Sequence, residues 1–519
     1  MAELAEREQT PGQADPQRRV RAGLPGWLTI GIPAVAVFAI AGFDLSGPSL
    51  WRDEAYTKDA INRSVSHLFS LLGHTDAVHG AYYLLMHFVA EVIGTSDAAL
   101  RFPSLCAMTV AAACTAAIGR RAAMLAGSGW PAATGLLSGL LFAATPYMTY
   151  YAQMARSYAF VTMFATIASY LLLRAATEGG WRWWSGYAVA VAFTGLFNTF
   201  GLLILPAHAL TLLAVPRASA WLGRAAMPWL IAAAASVAVL VPLLLVSFHQ
   251  RGQISWLGKP SMTTINTLVR DFAGSRTLVI PVGLLAAGGI AAGIMDSRGR
   301  RLSPAAIALP WLIVPPVILL AVSRVKPVYS ERYVEFCLPA LAILVAAGLV
   351  GLARLVATTA LGQAAWAPSA LILAMLAALL ISPQHAIRLS STRPDNLRLA
   401  SQIVAGHEQP GDVVFYLPDD MYVLGTGYPA PFDKLRNIGL AQSPIASATL
   451  TGRELRSPAE LASRFTDVKR VWVVTGMGNG KFPTPTSAVD KEMLALIADA
   501  DLHIVDRWQA GEVMLTLYG

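Results

Sequence analysis

The chain has 519 residues, of which 55% are hydrophobic and 13% are charged, and its formal net charge is +8. Because the apolar residues gather in repeated blocks of about 20 residues, the composition excludes a soluble protein and predicts a polytopic α-helical membrane protein. The Lys and Arg residues are dispersed among short loops, so the positive charge does not indicate a nucleic-acid partner. Cys106, Cys114 and Cys337 lie in apolar segments, where neither a disulfide framework nor a metal cluster is expected.

The first apolar segment sets the predicted orientation of the chain. Residues 1–26 are polar and rich in Pro, Gln and Gly, which predicts a disordered tail. Arg18, Arg19 and Arg21 precede the apolar segment Trp27–Phe43, and the positive-inside rule places them in the cytoplasm. The segment is long and lacks a small-residue cleavage site, so no cleavable signal peptide is expected. The residues after it are therefore predicted to lie outside the membrane.

The membrane domain is predicted to span residues 27–393 and to cross the bilayer about eleven times. Tyr82–Gly94 is apolar over only about 13 residues, so it is interpreted as an interfacial or re-entrant helix. Basic runs such as Gly119–Arg121 and Arg298–Arg301 then fall on the cytoplasmic side. After the first, the predicted spans are Phe102–Ile118, Ala132–Met148, Tyr158–Leu173, Tyr187–Phe197, Leu202–Val215, Trp229–Ser247, Leu278–Met295, Ala305–Val322, Val334–Leu352 and Ser369–Ile381.

From about Pro394 onward the composition is that of a soluble domain. Asp412–Leu417 and Arg470–Val474 are apolar runs typical of strands, and residues 502–517 are predicted to form a hairpin across a Gln-Ala-Gly turn. Helical periodicity is present at Leu397–Ala405, Pro458–Phe465 and Lys491–Ala500. Residues 394–519 are thus predicted to form a small α/β domain, which the odd number of spans places outside the membrane.

Three polar stretches stand out in the predicted external loops. Trp51–Tyr56 carries two adjacent carboxylates just beyond the first span, where such groups are costly unless they are solvated, paired or functional. Asp76–His87 opens the short helix with His79, and Tyr150–Ala159 places an arginine at the outer end of a span. A loop-marking acidic pair and an interfacial aromatic belt remain the alternative interpretations of these stretches.

Together, these stretches resemble the GT-C superfamily of membrane glycosyltransferases, within the protein-mannosyltransferase-like group that includes actinobacterial mannosyltransferase-type membrane proteins. The resemblance covers Trp51 to Tyr158 and does not extend to the α/β domain. It implies a polyprenyl-phosphate sugar donor, no cofactor and a reaction at the outer face of the cell membrane. Many relatives have Glu where this chain has Met154, so a metal or polar role of that Glu is not carried over.

The resemblance assigns the catalytic role to the carboxylate pair. Asp53 matches the general base that takes the acceptor hydroxyl proton, and Glu54 points elsewhere from the same backbone, so it is interpreted as a positioning residue. A general acid is dispensable because the phosphate leaves already charged. His74 and Asp76 beside His79 fit no metal-ligand spacing, so no metal is expected.

External cations and phenols are the candidates for binding the donor phosphate. An external arginine beside apolar segments requires a negative partner, and the loop from residue 324 to residue 333 adds further cations. Binding to anionic lipid headgroups is the alternative for that loop. The candidate phosphate-binding residues are His79, Tyr83, Arg156, Lys326, Tyr329 and Arg332.

The candidate acceptor or sugar contacts are Tyr82, Gln153 and Trp256, although Trp256 could equally anchor the chain at the membrane interface. The glycine-rich stretch Gly476–Lys481 lacks a following helix and is predicted to be a loop rather than a phosphate site.

The predicted function is an inverting glycosyltransferase, with mannose the first expectation for the sugar and arabinofuranose the second. Its partners would be the lipid-linked donor, membrane lipids and a cell-envelope glycan, glycolipid or protein. The alternatives are a lipid-linked-sugar transporter, which should contain inverted repeats, or an assembly partner of the envelope.

Overall fold

The computed structural model describes residues 24–213, 220–254, 256–297, 302–359, 365–477 and 487–519. Most of the predicted cytoplasmic tail, the basic run at 298–301 and the glycine-rich stretch at 478–481 lie outside the described residues. The described part of the chain consists of a large helical part followed by a smaller α/β part. The helices of the first part are α1 Gly26–Gly42, α2 Arg52–Ile61, α3 Val65–His74, α4 Gly80–Ile93, α5 Asp97–Leu125, α6 Pro131–Ala144, α7 Pro146–Ala152, α8 Tyr158–Glu178, α9 Trp181–Phe197, α10 Ile204–Leu213, α11 Ala220–His249, α12 Met262–Ala273, α13 Val279–Ser297, α14 Pro304–Val325, α15 Leu338–Ala357 and α16 Ala367–Ala386.

The polytopic membrane fold predicted from the sequence is confirmed. Within the described ranges, seven helices are long and apolar enough to cross a bilayer, and they correspond to α5, α8, α11, α13, α14, α15 and α16. Four shorter apolar helices contain α1, α4, α6 and α10. Three of these and α9 coincide with predicted spans, whereas α4 is the predicted short helix; the number of about eleven crossings stays a prediction.

The membrane helices pack closely where small residues face one another. A Cβ atom at Gly289 of α13 would lie 2.0 Å from the carbonyl oxygen of Leu344, and one at Gly348 of α15 would lie 2.0 Å from that of Leu285. Only glycine fits at both positions, so the two backbones can approach each other directly. Such small-residue contacts are the usual way in which helices associate in lipid.

Three short helices correct the prediction that these segments are loops. Helices α2 and α3 occupy the polar stretch before His79, and α12 occupies the loop predicted between α11 and α13. Ser64 caps α3 by accepting the backbone N–H of His67, and Ser261 begins a capping box on α12. These helices are short and amphipathic, so a search for bilayer-spanning apolar length does not detect them.

The α/β part has a five-stranded sheet between helices, and four of its strands are predicted from the sequence. The strands are β1 Val413–Leu417, β2 Arg436–Asn437, β3 Leu440–Gln442, β4 Arg453–Glu454, β5 Val471–Gly476, β6 Ile504–Ala510 and β7 Val513–Tyr518. The helices are α17 Leu397–His407, α18 Val423–Thr426, α19 Pro444–Ser447, α20 Pro458–Phe465 and α21 Ala488–Asp499. The sheet order is β2-β1-β5-β7-β6, with β1 parallel to β2 and β5, and β6 and β7 forming the predicted hairpin.

Side chains on the two faces of the sheet pack into separate layers. Val414 and Trp472 lie in one cluster with Leu397 of α17, whereas Val413 and Val471 lie in the other with residues of α20 and α21. The alternation follows from the two-residue period of a strand. The α17 layer also includes Ala55 of α2, so the α/β part packs directly against α2.

Candidate active site

Helix α2 begins directly after Trp51 and carries Asp53 in its first turn, where a carboxylate is favoured by the helix dipole. The Asp53 carboxylate accepts a hydrogen bond from Nη1 of Arg332, which belongs to a short turn after α14. The Arg332 guanidinium lies 5.6 Å from the ring centroid of Trp51 and 5.7 Å from that of Trp256. The folded chain thus brings the predicted base and a predicted phosphate ligand into contact.

Arg156 joins the other two polar stretches to Asp53. Its Nη1 donates to the backbone carbonyl of Asp53 at 3.3 Å and to the Tyr83 hydroxyl at 3.1 Å, and its Nη2 donates to His79 Nε2 at 2.7 Å. Because Nε2 of His79 accepts this bond, the proton of the neutral ring resides on Nδ1. The Tyr83 hydroxyl donates in turn to Asp76 Oδ2 at 2.5 Å. The three stretches therefore meet in one hydrogen-bonded cluster.

The charges of this cluster fix the protonation of its central groups. Burial by itself would raise the pKa of Asp53, but the nearby Arg332 and Arg156 guanidinium groups outweigh it and hold the pKa below its ordinary value. Burial, reinforced by Arg156, lowers the pKa of His79 to about 4. At neutral pH Asp53 is therefore a carboxylate and His79 is a neutral acceptor.

Glu54 contacts protein on every side, unlike its neighbour. Its fully buried carboxylate accepts from Nε and Nη2 of Arg101, each at 2.8 Å, and from the backbone N–H of Ala155 at 2.9 Å. Arg101 also donates to carbonyl groups of the chain that precedes α2. This geometry supports the predicted positioning role of Glu54 and gives it no route to a substrate in this arrangement.

The remaining sequence-predicted residues are dispersed around the cluster. Gln153 is buried and donates to the carbonyl groups at the end of α1, and Tyr82 is buried against Phe160. Tyr329 is buried outside the lining of the two cavities described next, whereas Lys326 is exposed. The roles predicted for these residues stay predictions. Of the acceptor candidates, Trp256 contacts the cluster through Arg332, and the ring of Tyr82 lies 6.4 Å from that of Tyr83.

Two cavities border the cluster. The first, called the basic cavity, has a volume of about 280 Å³ and is lined in part by His79, Phe200, Phe248, Arg251, Lys326 and Tyr333. The second, called the aromatic cavity, has a volume of about 630 Å³ and is lined in part by Trp51, Tyr147, Tyr150, Tyr151, Tyr158, Asp271, Glu331 and Arg332. Asp53 is hydrogen-bonded directly to Arg332 of the aromatic cavity and, through Arg156, is linked to His79 of the basic cavity.

Sequence reasoning missed most of the aromatic cavity. Tyr147, Tyr151 and Asp271 lie far apart along the chain from Trp51 and Glu331, so no local motif links them. The clustered tyrosines of α7 were the available signal, because three of its seven residues are tyrosine.

A third cavity of about 860 Å³ lies at the opposite end of α8, is lined by residues such as Glu178 and Trp181, and includes none of the site residues.

Comparisons with known proteins agree with this architecture. Residues 81–246 match the family model described as dolichyl-phosphate-mannose-protein mannosyltransferase. No curated protein matches the sequence. The structure of ArnT from Cupriavidus metallidurans is similar with a TM-score of 0.59 at 14% identity, covering 95% of this chain and 98% of that one. Its form bound to undecaprenyl phosphate has a TM-score of 0.57 over the same shares, again at 14% identity.

Two further solved structures have the same fold. The archaeal oligosaccharyltransferase AglB from Archaeoglobus fulgidus, in complex with an inhibitory peptide and a dolichol-phosphate, has a TM-score of 0.50 at 12% identity, covering 87% of this chain and 70% of that one. The arabinofuranosyltransferase AftD from Mycobacteria has a TM-score of 0.50 at 17% identity, covering 96% of this chain and 42% of that one. These matches confirm the resemblance indicated by the three polar stretches, and the chain is a polytopic membrane protein with the GT-C fold.

Proposed function

We propose that the protein is an inverting glycosyltransferase that moves a sugar from a polyprenyl-phosphate donor to an acceptor at the outer face of the membrane. The observation that carries this proposal is the position of Asp53, which is linked by hydrogen bonds to the linings of a basic and an aromatic cavity. A transfer reaction needs two binding sites that meet at one base, and this arrangement supplies both.

The basic cavity suits the phosphate of the donor. Arg251 and Lys326 are the cations of its lining, and apolar side chains such as Leu244 and Phe248 lie beside them. A lipid phosphate needs both a cationic site and an apolar path for its chain. The similar structures of ArnT bound to undecaprenyl phosphate and of AglB in complex with a dolichol-phosphate support a donor of this class.

The aromatic cavity suits the acceptor. Its tyrosine rings and Trp51 offer flat faces for sugar rings, and Asp271 and Glu331 can accept hydrogen bonds from sugar hydroxyls. Arg332 reaches from this lining to Asp53, so an acceptor hydroxyl in the cavity would lie close to the base. An envelope glycan, a glycolipid or a protein would all present such a hydroxyl.

The reaction would proceed by a single displacement. Asp53 accepts the proton of the acceptor hydroxyl, whose oxygen forms a bond to the anomeric carbon while the bond from that carbon to the phosphate oxygen breaks. The phosphate departs with the bonding electrons and is stabilised by Arg332 and Arg156. Because the nucleophile enters opposite the leaving group, the anomeric configuration inverts.

Donor binding would also prepare the base. Arg332 is paired with Asp53, and together with Arg156 it lowers the pKa of that carboxylate, which makes it a weak base. A phosphate competes for the same guanidinium group, and loss of the pairing raises the pKa of Asp53 toward that of a better proton acceptor. The base thus becomes effective when the donor is present.

The family description supports mannose as the first sugar to test, followed by arabinofuranose. The experiment is to incubate purified full-length protein with a panel of radiolabelled polyprenyl-phosphate sugars and membrane extracts, with Asp53→Asn as the control. We expect one sugar to be incorporated by the wild type and little by the control. Binding of a donor with no transfer of any sugar would favour the transporter alternative instead.

We further propose that the N-terminus is cytoplasmic and that residues 394–519 form an external domain, with residues 27–393 as the membrane domain. The contact of α2 with the α17 layer supports placing Asp53 and the α/β part on the same side. Labelling of single cysteines at positions 256 and 420 by an impermeant reagent in intact cells tests this topology. Protection at both positions would mean that the orientation is reversed.

A further inference from the structure

The segment that joins the membrane helices to the α/β part contacts two helices of the site at once. Arg393 and Asp395 lie in this segment, just before α17, and they are 1% and 0% exposed. Arg393 contacts α7, whose tyrosines line the aromatic cavity. Asp395 contacts α2, which carries Asp53. Both are buried and neither is part of the proposed chemistry.

Asp395 supplies a cap that α2 lacks. Trp51, which precedes α2, makes no side-chain capping bond. Instead, Oδ2 of Asp395 accepts the backbone N–H of Arg52 at 3.0 Å, and the same carboxylate accepts from Nε and Nη2 of Arg52 at 2.9 and 2.8 Å. A carboxylate at a helix N-terminus satisfies an otherwise unpaired donor and interacts favourably with the helix dipole. The residue fixed in this way is the immediate neighbour of Asp53.

Arg393 caps the C-terminal end of α7. Its Nη2 donates to the backbone carbonyl of Gln153 at 2.7 Å and to that of Tyr150 at 3.3 Å, and its guanidinium lies 3.9 Å from the centroid of the Tyr150 ring. A cation at a helix C-terminus satisfies its last carbonyl groups. The ring held in this way lines the aromatic cavity, and Arg156 follows in the next turn of chain.

We propose that Arg393 and Asp395 are positioning residues that cap α7 and α2 together and so set the distance between the base and the acceptor cavity. This inference rests on the proposed function and adds a task for the α/β part, which holds the linking segment from one side. The packing of Ala55 of α2 into the α17 layer provides a second contact between the same two parts.

Asp395→Ala in the full-length chain tests the cap on α2. Because a misplacement of about 1 Å can lower a rate about 10²-fold, we expect turnover to fall by about that factor while donor affinity is unchanged. Asp395→Asn should recover much of the loss, since its amide oxygen can still accept the Arg52 N–H. Equal turnover in Asp395→Ala and the wild type would overturn the proposal.

Asp97→Asn is the matched control for docking of the α/β part. Asp97 of α5 accepts from Arg398 at 2.6 Å and from Tyr428 at 2.5 Å, contacts that leave Arg52 untouched. If the α/β part acted only by being attached, Asp97→Asn and Asp395→Ala would lower turnover alike, and this result would also overturn the proposal.

Hydrogen exchange of the amides in residues 51–61 and 146–153, followed by mass spectrometry, tests both caps without an activity assay. Asp395→Ala should lose protection in the first turn of α2, whereas Asp97→Asn should keep it. Arg393→Gln serves if Asp395→Ala does not fold, and it should raise exchange at the end of α7 alone. Unchanged exchange in these variants would exclude the double cap even if the wild type transfers sugar, and a wild type without transfer would contradict the proposed function only.

Discussion

The basic and aromatic cavities differ in charge and in the chemistry of their walls. The described lining of the basic cavity holds Arg251 and Lys326 and no carboxylate, together with apolar side chains. The aromatic cavity is more than twice as large, at about 630 Å³ against about 280 Å³, and balances Arg270 and Arg332 against two carboxylates. Uncompensated positive charge selects an anion, whereas balanced charge beside aromatic rings selects a neutral polar ligand.

The difference indicates a division of labour that variants can test. Changes in the basic cavity should alter the dependence of the rate on donor concentration, and changes in the aromatic cavity should alter its dependence on acceptor concentration. A substitution of Asp53, which is linked to both linings, should lower turnover without weakening the binding of either ligand. Arg332 is the expected exception, because it lines the aromatic cavity but is proposed to bind the phosphate of the donor.

Asp53→Asn should produce the largest effect. The amide keeps the size of the side chain but cannot accept the proton, so turnover should fall by roughly 10²–10⁴ while donor binding survives. Radiolabelled sugar transfer at saturating substrates measures this change. Asp59→Asn is the control on the same helix, since Asp59 is paired with Arg63 and lies away from the cluster. Wild-type turnover in Asp53→Asn would remove Asp53 from the catalytic role.

Glu54→Gln should act on stability instead of chemistry. It removes the counter-charge of the buried Arg101, and breaking a buried ion pair from one side typically lowers the free energy of unfolding by about 3–5 kcal/mol. A thermal melt of the purified variant in detergent measures the loss. A stable variant with no turnover would instead indicate that Glu54 takes part in the reaction.

Arg332→Ala should weaken donor binding more than Lys326→Ala. Loss of a charged hydrogen bond costs about 1.5–3 kcal/mol, whereas Lys326 is exposed and its contribution is screened by solvent. Titration of a polyprenyl phosphate against the fluorescence of the tryptophans compares the two variants. Unchanged affinity in both would leave binding to lipid headgroups as the role of this loop.

Asp271→Asn should raise the acceptor KM and leave the donor KM unchanged. The neutral amide accepts weaker hydrogen bonds than the carboxylate, so a loss of about 1 kcal/mol, or several-fold in KM, is expected. Kinetics with each substrate varied in turn distinguish the two constants. A change confined to the donor KM would contradict the assignment of the two cavities.

The smallest expected effect is in the pH profile of kcat/KM. The pKa of Asp53 is lowered, so its carboxylate is ionised at any pH above about 3.9, the ordinary pKa of an aspartate. His79 has a pKa of about 4, so its ring is neutral near pH 7. The profile should therefore show no inflection near pH 6.5, the ordinary pKa of histidine. Arg332→Ala removes a cation from Asp53 and raises its pKa, so the acidic fall in activity should move to higher pH. An inflection near 6.5 in the wild type would require another titrating group.

Several features of the molecule could be predicted from the sequence because they depend on local properties. Apolar length identifies the long membrane helices, short apolar runs identify β1 and β5, and two strand-like segments across a Gln-Ala-Gly turn identify the β6–β7 hairpin. The resemblance, which rests on short motifs, predicted that Asp53, His79 and Arg156 belong to one site. The structure places them in one hydrogen-bonded cluster.

Other features were decided only by the tertiary structure, because their parts lie far apart in the chain. The ion pair of Glu54 with Arg101, the aromatic cavity built from α7, α12 and the turn at Arg332, and the cap on α2 contributed by Asp395 depend on which helices pack together. Hydropathy records how strongly each segment partitions into the bilayer, but it carries no information about which polar groups meet once the helices have packed. The sequence alone therefore determined a membrane protein of this fold and singled out Asp53 as the predicted base, and packing determined what surrounds Asp53.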